Sequence, residues 1–169
     1  EEKLTWIETA DLKINFSNKG GVIQYLELKK YKTYTGKPLI LIEPASNSFR
    51  LQTKLKGEEL DLYSLYYAID THRSGDTTIL NYKVQLSNGA ELTQTYKIPE
   101  SGYEIGYSIS SRGLDKELAD QLTLHWGNSL RLVEKDIADN RNNTTINYNV
   151  NGTVDWLAER STDIEKEVI

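Results

Sequence analysis

Between Thr77 and Ile98 the chain alternates apolar and polar residues with a period of two, and few folds accommodate that pattern. Leu80, Tyr82, Val84 and Leu86 share one face. Leu92, Tyr96 and Ile98 share another, with Gln94 among them. Successive strand side chains point to opposite sides, so each run reads as a half-buried strand. Asn88-Gly89 lies between them and invites a two-residue turn. That turn would set Leu86 opposite Glu91 and put every apolar residue against a polar one. A three-residue loop, Ser87-Asn88-Gly89, sets Leu86 opposite Ala90 and Val84 opposite Leu92. Register follows the buried face, so the pattern predicts a type I turn with Gly89 in the left-handed conformation.

A second stretch, Leu12 to Tyr34, sets the start of the chain. Leu12, Ile14 and Phe16 alternate with Lys13, Asn15 and Ser17. Ser17-Asn18-Lys19-Gly20-Gly21 then reverses the chain, with residue types that tolerate positive φ. The return strand changes phase: Ile23 and Tyr25 fall on one face, Leu26 and Leu28 on the other. This requires a bulge near Tyr25 or a strand buried on both sides.

The remaining segments repeat the theme. Glu1–Glu8 reads as a short strand with Leu4 and Trp6 pointing one way, and 29–37 as a polar connection. Pro38–Ile42 is a short apolar strand with proline at its tolerated first position. Phe49, Leu51, Thr53 and Leu55 alternate with Arg50, Gln52 and Lys54, and Lys56–Glu59 reverses the chain. Leu60–Ile69 is ambiguous between strand and irregular structure, its aromatic content favouring strand, and Thr71–Asp76 reads as a loop. Tyr103, Ile105, Tyr107 and Ile109 alternate, and Gly113–Lys116 turns the chain. Leu118, Leu122, Leu124 and Trp126 then share a face opposite Gln121, Thr123 and His125. Leu130, Val133 and Ile137 fall at helical spacing, with Lys135 and Asp139 at i,i+4 and Asn128 or Ser129 as the cap. They predict one short helix near 130–140. Ile146, Tyr148 and Val150 return to strand, Asn151-Gly152 turns, and Val154 with Trp156 begins the last strand. Successive hairpins with one helix predict a mainly β, antiparallel sandwich.

Composition narrows the class. The 169 residues fit one domain, 1–158, followed by a charged exit segment, 159–169. A net charge of −5 with dispersed Lys and Arg argues against a nucleic-acid face. Cysteine is absent, so there is no disulfide frame and no thiolate metal site. The longest aliphatic run, Leu39–Ile42, is far short of a membrane span.

The order of landmarks also resembles a known family. Asn18-Lys19-Gly20-Gly21, Leu26-x-Leu28 and Tyr31-Lys32-Thr33-Tyr34-x-Gly36-Lys37-Pro38-Leu39 open the chain. Asn47-Ser48-Phe49, Asp61-Leu62-Tyr63, the stretch Tyr96–Tyr107, Leu122-x-Leu124-x-Trp126, Glu134-Lys135 with Arg141, and Thr144-Thr145-Ile146-x-Tyr148 follow in sequence. Together they resemble the large extracytoplasmic domain of the bacterial membrane protein insertase YidC, in its Bacteroidetes form. Gly127-Asn128-Ser129-Leu130-Arg131-Leu132 departs from that pattern. The resemblance implies a β-supersandwich related to galactose-mutarotase-like folds, on the periplasmic face of the inner membrane and joined to an integral membrane protein. It implies a non-enzymatic scaffold or docking surface, with no cofactor. The implied partners are the Sec translocon, its accessory subunits and nascent membrane proteins.

Candidate chemistry is sparse. His72 lies in Thr-His-Arg-Ser-Gly-Asp, and His125 faces away from Leu124 and Trp126. His72 is next to Asp70 and Asp76, which admits a metal or acid–base role, against a solvated loop histidine as the simpler reading; His125 has no local acid to pair with for sugar-ring acid–base work. Asp136, Asp139 and Asn140 lack the alternating-acid spacing of a calcium loop. Asn142, Asn143 and Asn151 start N-x-Thr sequons, which read here as turn residues. Glu134, Lys135 and Arg141 read as a helix ion pair and cap. Tyr31, Tyr34, Tyr63, Tyr66, Tyr67 and Trp156 could line a groove or partner surface, against ordinary sheet packing. Two other functions compete with the scaffold: a carbohydrate-binding sandwich with mutarotase-like chemistry, and a chaperone groove for unfolded segments.

Overall fold

A computed structural model describes residues 1–86, 89–113, 122–128, 131–142, 145–150 and 152–158. The described chain is mainly β, in several antiparallel sheets with one short helix. The first sheet is a meander, β1 (Leu4–Glu8), β2 (Leu12–Ser17), β3 (Val22–Lys32) and β4 (Pro38–Ile42), in spatial order 1-2-3-4. A second meander is built later in the chain. It comprises β7 (Ala68–Ser74), β8 (Thr77–Gln85), β9 (Glu91–Pro99) and β10 (Gly106–Arg112). Between them, β5 (Asn47–Leu55) pairs with β6 (Glu58–Asp61) on one side and β11 (Thr123–Asn128) on the other. A last hairpin joins β12 (Thr145–Val150) to β13 (Thr153–Ala158).

The two meanders close on one core. Leu12, Ile14 and Phe16 of β2 meet Leu80 and Tyr82 of β8 and Leu92, Tyr96 and Ile98 of β9. Leu51 of β5, with Leu62 and Tyr67 of the connection that follows β6, seals one side. Phe16 is central: its ring lies 4.9 Å from that of Tyr96 and 6.2 Å from that of Tyr82. Each such fully buried side chain contributes about 1.5–3 kcal/mol from lost water contact.

The hairpin register follows the buried face. Val84 pairs with Leu92 and Gln85 with Glu91. The Leu86 N–H donates to Ala90 O at 2.8 Å and the Gly89 N–H to Leu86 O at 2.9 Å, with Gly89 at φ +82°. Ser87 and Asn88 themselves lie outside the described residues. The phase change in β3 is a bulge. Asn15 pairs with Tyr25 and Phe16 with Ile23, leaving Gln24 as the extra residue. Ile23, Leu26 and Leu28 all pack against the core as a result.

Five expectations need correction. The polar connection after Leu28 is shorter than the composition implies, because β3 runs on to Lys32 and only 33–37 turn. Leu60–Ile69 is not one strand. Asp61 accepts from the Tyr63 N–H at 3.0 Å, starting a 3-10 turn over Leu62–Ser64. Thr71, His72, Arg73 and Ser74 belong to β7, with only Gly75 and Asp76 between strands. That strand is a polar sheet edge, where burial imposes no apolar alternation. The helix is later and shorter: α1 spans Ile137–Asn142, and Asp136 starts it by accepting from the Asp139 N–H at 3.0 Å. Upstream, Val133 O accepts from the Tyr34 N–H at 3.1 Å and Arg131 pairs with Glu43. These contacts draw 131–133 along the β3–β4 hairpin instead of coiling it, and Lys135 precedes the helix. Finally, Leu122, Leu124 and Trp126 share a face, but that face is open to solvent. The expectations for Gln121, Leu118, Ser129, Leu130, Asn143, Thr144 and Asn151, for the turn beyond Gly113 and for the segment 159–169 fall outside the described residues.

Candidate functional site

The corner between β2 and β3 is the most constrained point of the molecule. Gly20 has φ +81°, and a Cβ there would lie 2.6 Å from Tyr63 O. Gly21 has φ +62°, and a Cβ there would meet the Tyr82 ring and the Gln94 amide at 3.1–3.2 Å. Both residues must be glycine, for conformation and for space. Their bare backbone lets a polar chain form that runs from exposed Tyr107 to fully buried Gln94. Tyr63 and Tyr107 hydroxyls are 3.2 Å apart, and Tyr107 donates to Gln94 Oε1 at 2.7 Å. Gln94 Nε2 donates to Gly20 O at 2.9 Å, and the Tyr96 hydroxyl to Gly21 O at 2.8 Å. Since Tyr107 donates to Gln94, Tyr63 donates to Tyr107. Gln94 is fully buried, so these bonds satisfy an amide that would otherwise be costly. Burial raises the pKa of the Tyr96 and Tyr107 phenols, and Tyr63 shifts the same way for the same reason. The chain is therefore neutral at physiological pH and offers no activated acid or base. It joins the two sheets.

A second junction lies at the opposite ends of β2 and β3. Asp11 is 3 % exposed; it pairs with the Lys30 ammonium and accepts from the Gly102 N–H at 2.7 Å. Lys30, then the Gly102 N–H, hold its carboxyl below the usual carboxylate range. The Ala10 N–H donates to Glu100 O at 2.9 Å beside it. No sequence motif marks Asp11; only the closure of β1–β2 onto the 99–103 turn makes it an anchor.

The six aromatic candidates are dispersed. Tyr31 and Tyr103, both half exposed, meet edge to face at 5.7 Å. Tyr34 lines a cavity of about 460 Å³ with Pro38, Ile40, Arg131, Leu132 and Val133. Tyr63 lines another of about 410 Å³ with Lys19, Gln24, Glu43, Asn47 and Phe49. Tyr66 is exposed beside the bridge to Lys19. Tyr67 is in the core, its hydroxyl donating to Leu62 O at 2.9 Å. Trp156 is exposed on β13. Tyr25 was not among the candidates. It stacks edge to face on exposed Trp6 at 5.5 Å, and burial with its bond to Glu27 pushes its phenol up to about 12. Its signal was the bulge, which turns it outward.

The two histidines do not converge. His72 sits on the edge strand β7, 3.9 Å from Asp70, and both are exposed. His125 is on β11 opposite Arg50, in a different sheet. Asp136 serves α1. No cluster of three or more His, Cys, Asp or Glu able to hold a metal occurs among the described residues.

Residues 5–163 match the family model for the YidC periplasmic domain. Relatives share this likeness. The membrane protein insertase YidC of Cytophaga hutchinsonii is 32% identical over 100% of this chain and 28% of its own length. That of Amoebophilus asiaticus is 25% identical over 96% of the chain and 28% of its own. That of Parabacteroides distasonis is 27% identical over 96% and 26%. The chain thus spans little more than a quarter of the length of these curated relatives. It belongs to the YidC periplasmic domain family.

Proposed function

We propose, from that membership, that the domain is a non-enzymatic module of a membrane protein insertase. In this reading it is a scaffold or docking surface on the periplasmic face of the inner membrane. Its parent acts there on nascent membrane proteins, beside the Sec translocon and its accessory subunits. The observation that carries the reading is the family match over residues 5–163. The neutral, hydrogen-bonded chain at the sheet junction supports it, because its residues serve closure of the fold. No helix among the described residues is long and apolar enough to cross a membrane.

The finer fold assignment, a galactose-mutarotase-like β-supersandwich, belongs to the same proposal, as does the division into a domain at 1–158 and a charged exit segment at 159–169. For the partner surface, Tyr31, Tyr34, Tyr66 and Trp156 present exposed rings, whereas Tyr63 is half-buried and Tyr67 lies in the core. A photo-crosslinking residue at Tyr31, Tyr34 or Trp156 of the parent insertase in native membranes tests this. Adducts with Sec subunits are the expected outcome. Adducts with none of them, from sites that crosslink efficiently to something else, would overturn the docking role.

A further inference from the structure

The β3–β4 ribbon overhangs the first sheet. β2 begins at Leu12, opposite Leu28, while β3 runs on to Lys32. Leu28 pairs with Leu39 and Lys32 with Pro38, so Lys29, Lys30 and Tyr31 have no counterpart on β4. A bulge of this kind re-aims a strand. The tip beyond it meets the segment 131–133, where the Tyr34 N–H donates to Val133 O at 3.1 Å. The cavity of about 460 Å³ lies between the two. Pro38, Ile40 and Leu132 give it an apolar wall. Lys37 and Arg131 bring two cations, and no acidic residue lines it. Thr33 and Thr35, their hydroxyls 2.9 Å apart, complete a polar rim. Glu43 engages Arg131 through Nη1, which leaves further guanidinium N–H groups to donate. Residues 29–42 carry four lysines and no acid. Lys29 pairs with Glu8 and Lys30 with Asp11; among the described residues no acid pairs with Lys32 or Lys37. On the same ribbon Tyr34, Tyr31 and Leu41 are 55%, 50% and 46% exposed.

We infer that this cavity takes the phosphate headgroup of an anionic phospholipid, with the ribbon tip seated at the membrane surface. A phosphate matches the Lys37 ammonium and the free donors of the Arg131 guanidinium. The apolar wall contributes nothing to a bare inorganic anion, but it suits the glycerol and upper acyl carbons of a lipid. Exposed tyrosine and lysine side by side fit the headgroup level, because each has an apolar body and a polar tip. A chain of net charge −5 is repelled by an anionic surface except where cations gather, so contact falls on the acid-free ribbon. The inference rests on the reading that sets the domain beside a membrane, and it does not require Sec subunits. Of the exposed rings, Tyr34 then meets lipid, and Trp156 on β13 stays open to a protein partner.

The test uses the full-length parent insertase, freed of other cysteines, in nanodiscs of phosphatidylcholine with or without phosphatidylglycerol. A fluorophore on Thr35→Cys, in the exposed β3–β4 turn, reports contact with a headgroup-labelled quencher lipid. Lys19→Cys, exposed beyond the other end of β3, is the control. The expected result is quenching at 35 only when phosphatidylglycerol is present, and none at 19. With Lys37→Gln, about fivefold more phosphatidylglycerol should be needed for the same quenching. Equal quenching at 35 in both membranes, or none in either, would overturn the inference. An equal response to inorganic phosphate or to polyglutamate, over phosphatidylcholine alone, would assign the cavity to another anion and overturn it as well. Should a variant fail to accumulate, a photoactivatable phosphatidylglycerol added to the unmodified parent decides. Adducts on 31–40 are expected. Adducts only on other parts of the domain would refute the site and keep the membrane reading; no adduct anywhere on residues 1–169 would sink both.

Discussion

Gly20 tests the tightest contact in the molecule. Gly20→Ala must hold a side chain at positive φ and also displace Tyr63 O, so a loss of about 2–4 kcal/mol is expected, from strain of 1–2 kcal/mol plus repacking. Urea denaturation measures it; a loss below about 1 kcal/mol would mean the corner is looser than described. Gln94→Leu keeps the volume but strands Gly20 O and removes the acceptor for Tyr107, so about 1–3 kcal/mol should be lost. Asp11 gives a pH signature. Its pKa is depressed in the folded state, so its stabilising effect is present above the unfolded value near 4 and is lost as pH falls through the lower folded value. Asp11→Asn should be less stable than the parent at pH 7, and the gap should narrow as pH drops below about 4. A constant gap in thermal melts across that range would count against the Lys30 and Gly102 contacts. The sequence showed that Gly20 and Gly21 form a turn, and that Gln94 sits in an apolar row. It could not show that the turn meets Tyr63 from one side and Gln94 from the other, because those contacts join residues more than forty positions apart.

At the scale of elements, legibility tracks burial. The β8–β9 hairpin was readable to the residue, since a one-position slip would have turned Leu80, Tyr82, Leu92 and Tyr96 outward. Gly89→Ala puts a side chain on the left-handed position of that loop and should cost about 1–2 kcal/mol without changing the register, as cross-strand NMR contacts between Val84 and Leu92 would report. The edge strand β7 was unreadable, because residues facing water on all sides carry no period. The helix was placed too early for a related reason. Leu130, Val133 and Ile137 have the right spacing, but 131–133 bonds to the β3–β4 hairpin instead. A six-residue helix has little cooperative strength of its own to resist such contacts.

At the scale of the whole molecule, Tyr67, Tyr82 and Tyr96 lie in the core, and this fixes the alkaline limit. Of eleven tyrosines, Tyr67, Tyr82, Tyr96 and Tyr107 are held above the ordinary phenol range by burial. A raised folded pKa means stability is intact below about 10 and is lost as pH climbs from there toward the folded values. Spectrophotometric titration should therefore show Tyr67, Tyr82 and Tyr96 ionising only together with unfolding, above the ordinary phenol range. A single smooth transition for all eleven near 10 would contradict the packing. The mainly β architecture was legible from alternation alone; the identity of the domain rested on the order of many weak landmarks. The open strip on β11 was not legible, since Leu122, Leu124 and Trp126 look like any buried row until the opposite layer is sought.

The bulge in β3 has a genetic corollary. Gln24 is the one residue there with no counterpart on β2. Were it lost, Ile23, Tyr25, Leu26, Glu27 and Leu28 would still meet their present partners, now in an unbroken two-residue rhythm. Loss of Glu27 instead would rotate Leu28 out of the interior. An in-frame deletion scan across the part of this strand paired with β2, Val22–Leu28, should thus find a single tolerated codon, and it is the one whose absence makes the ribbon more regular than nature left it.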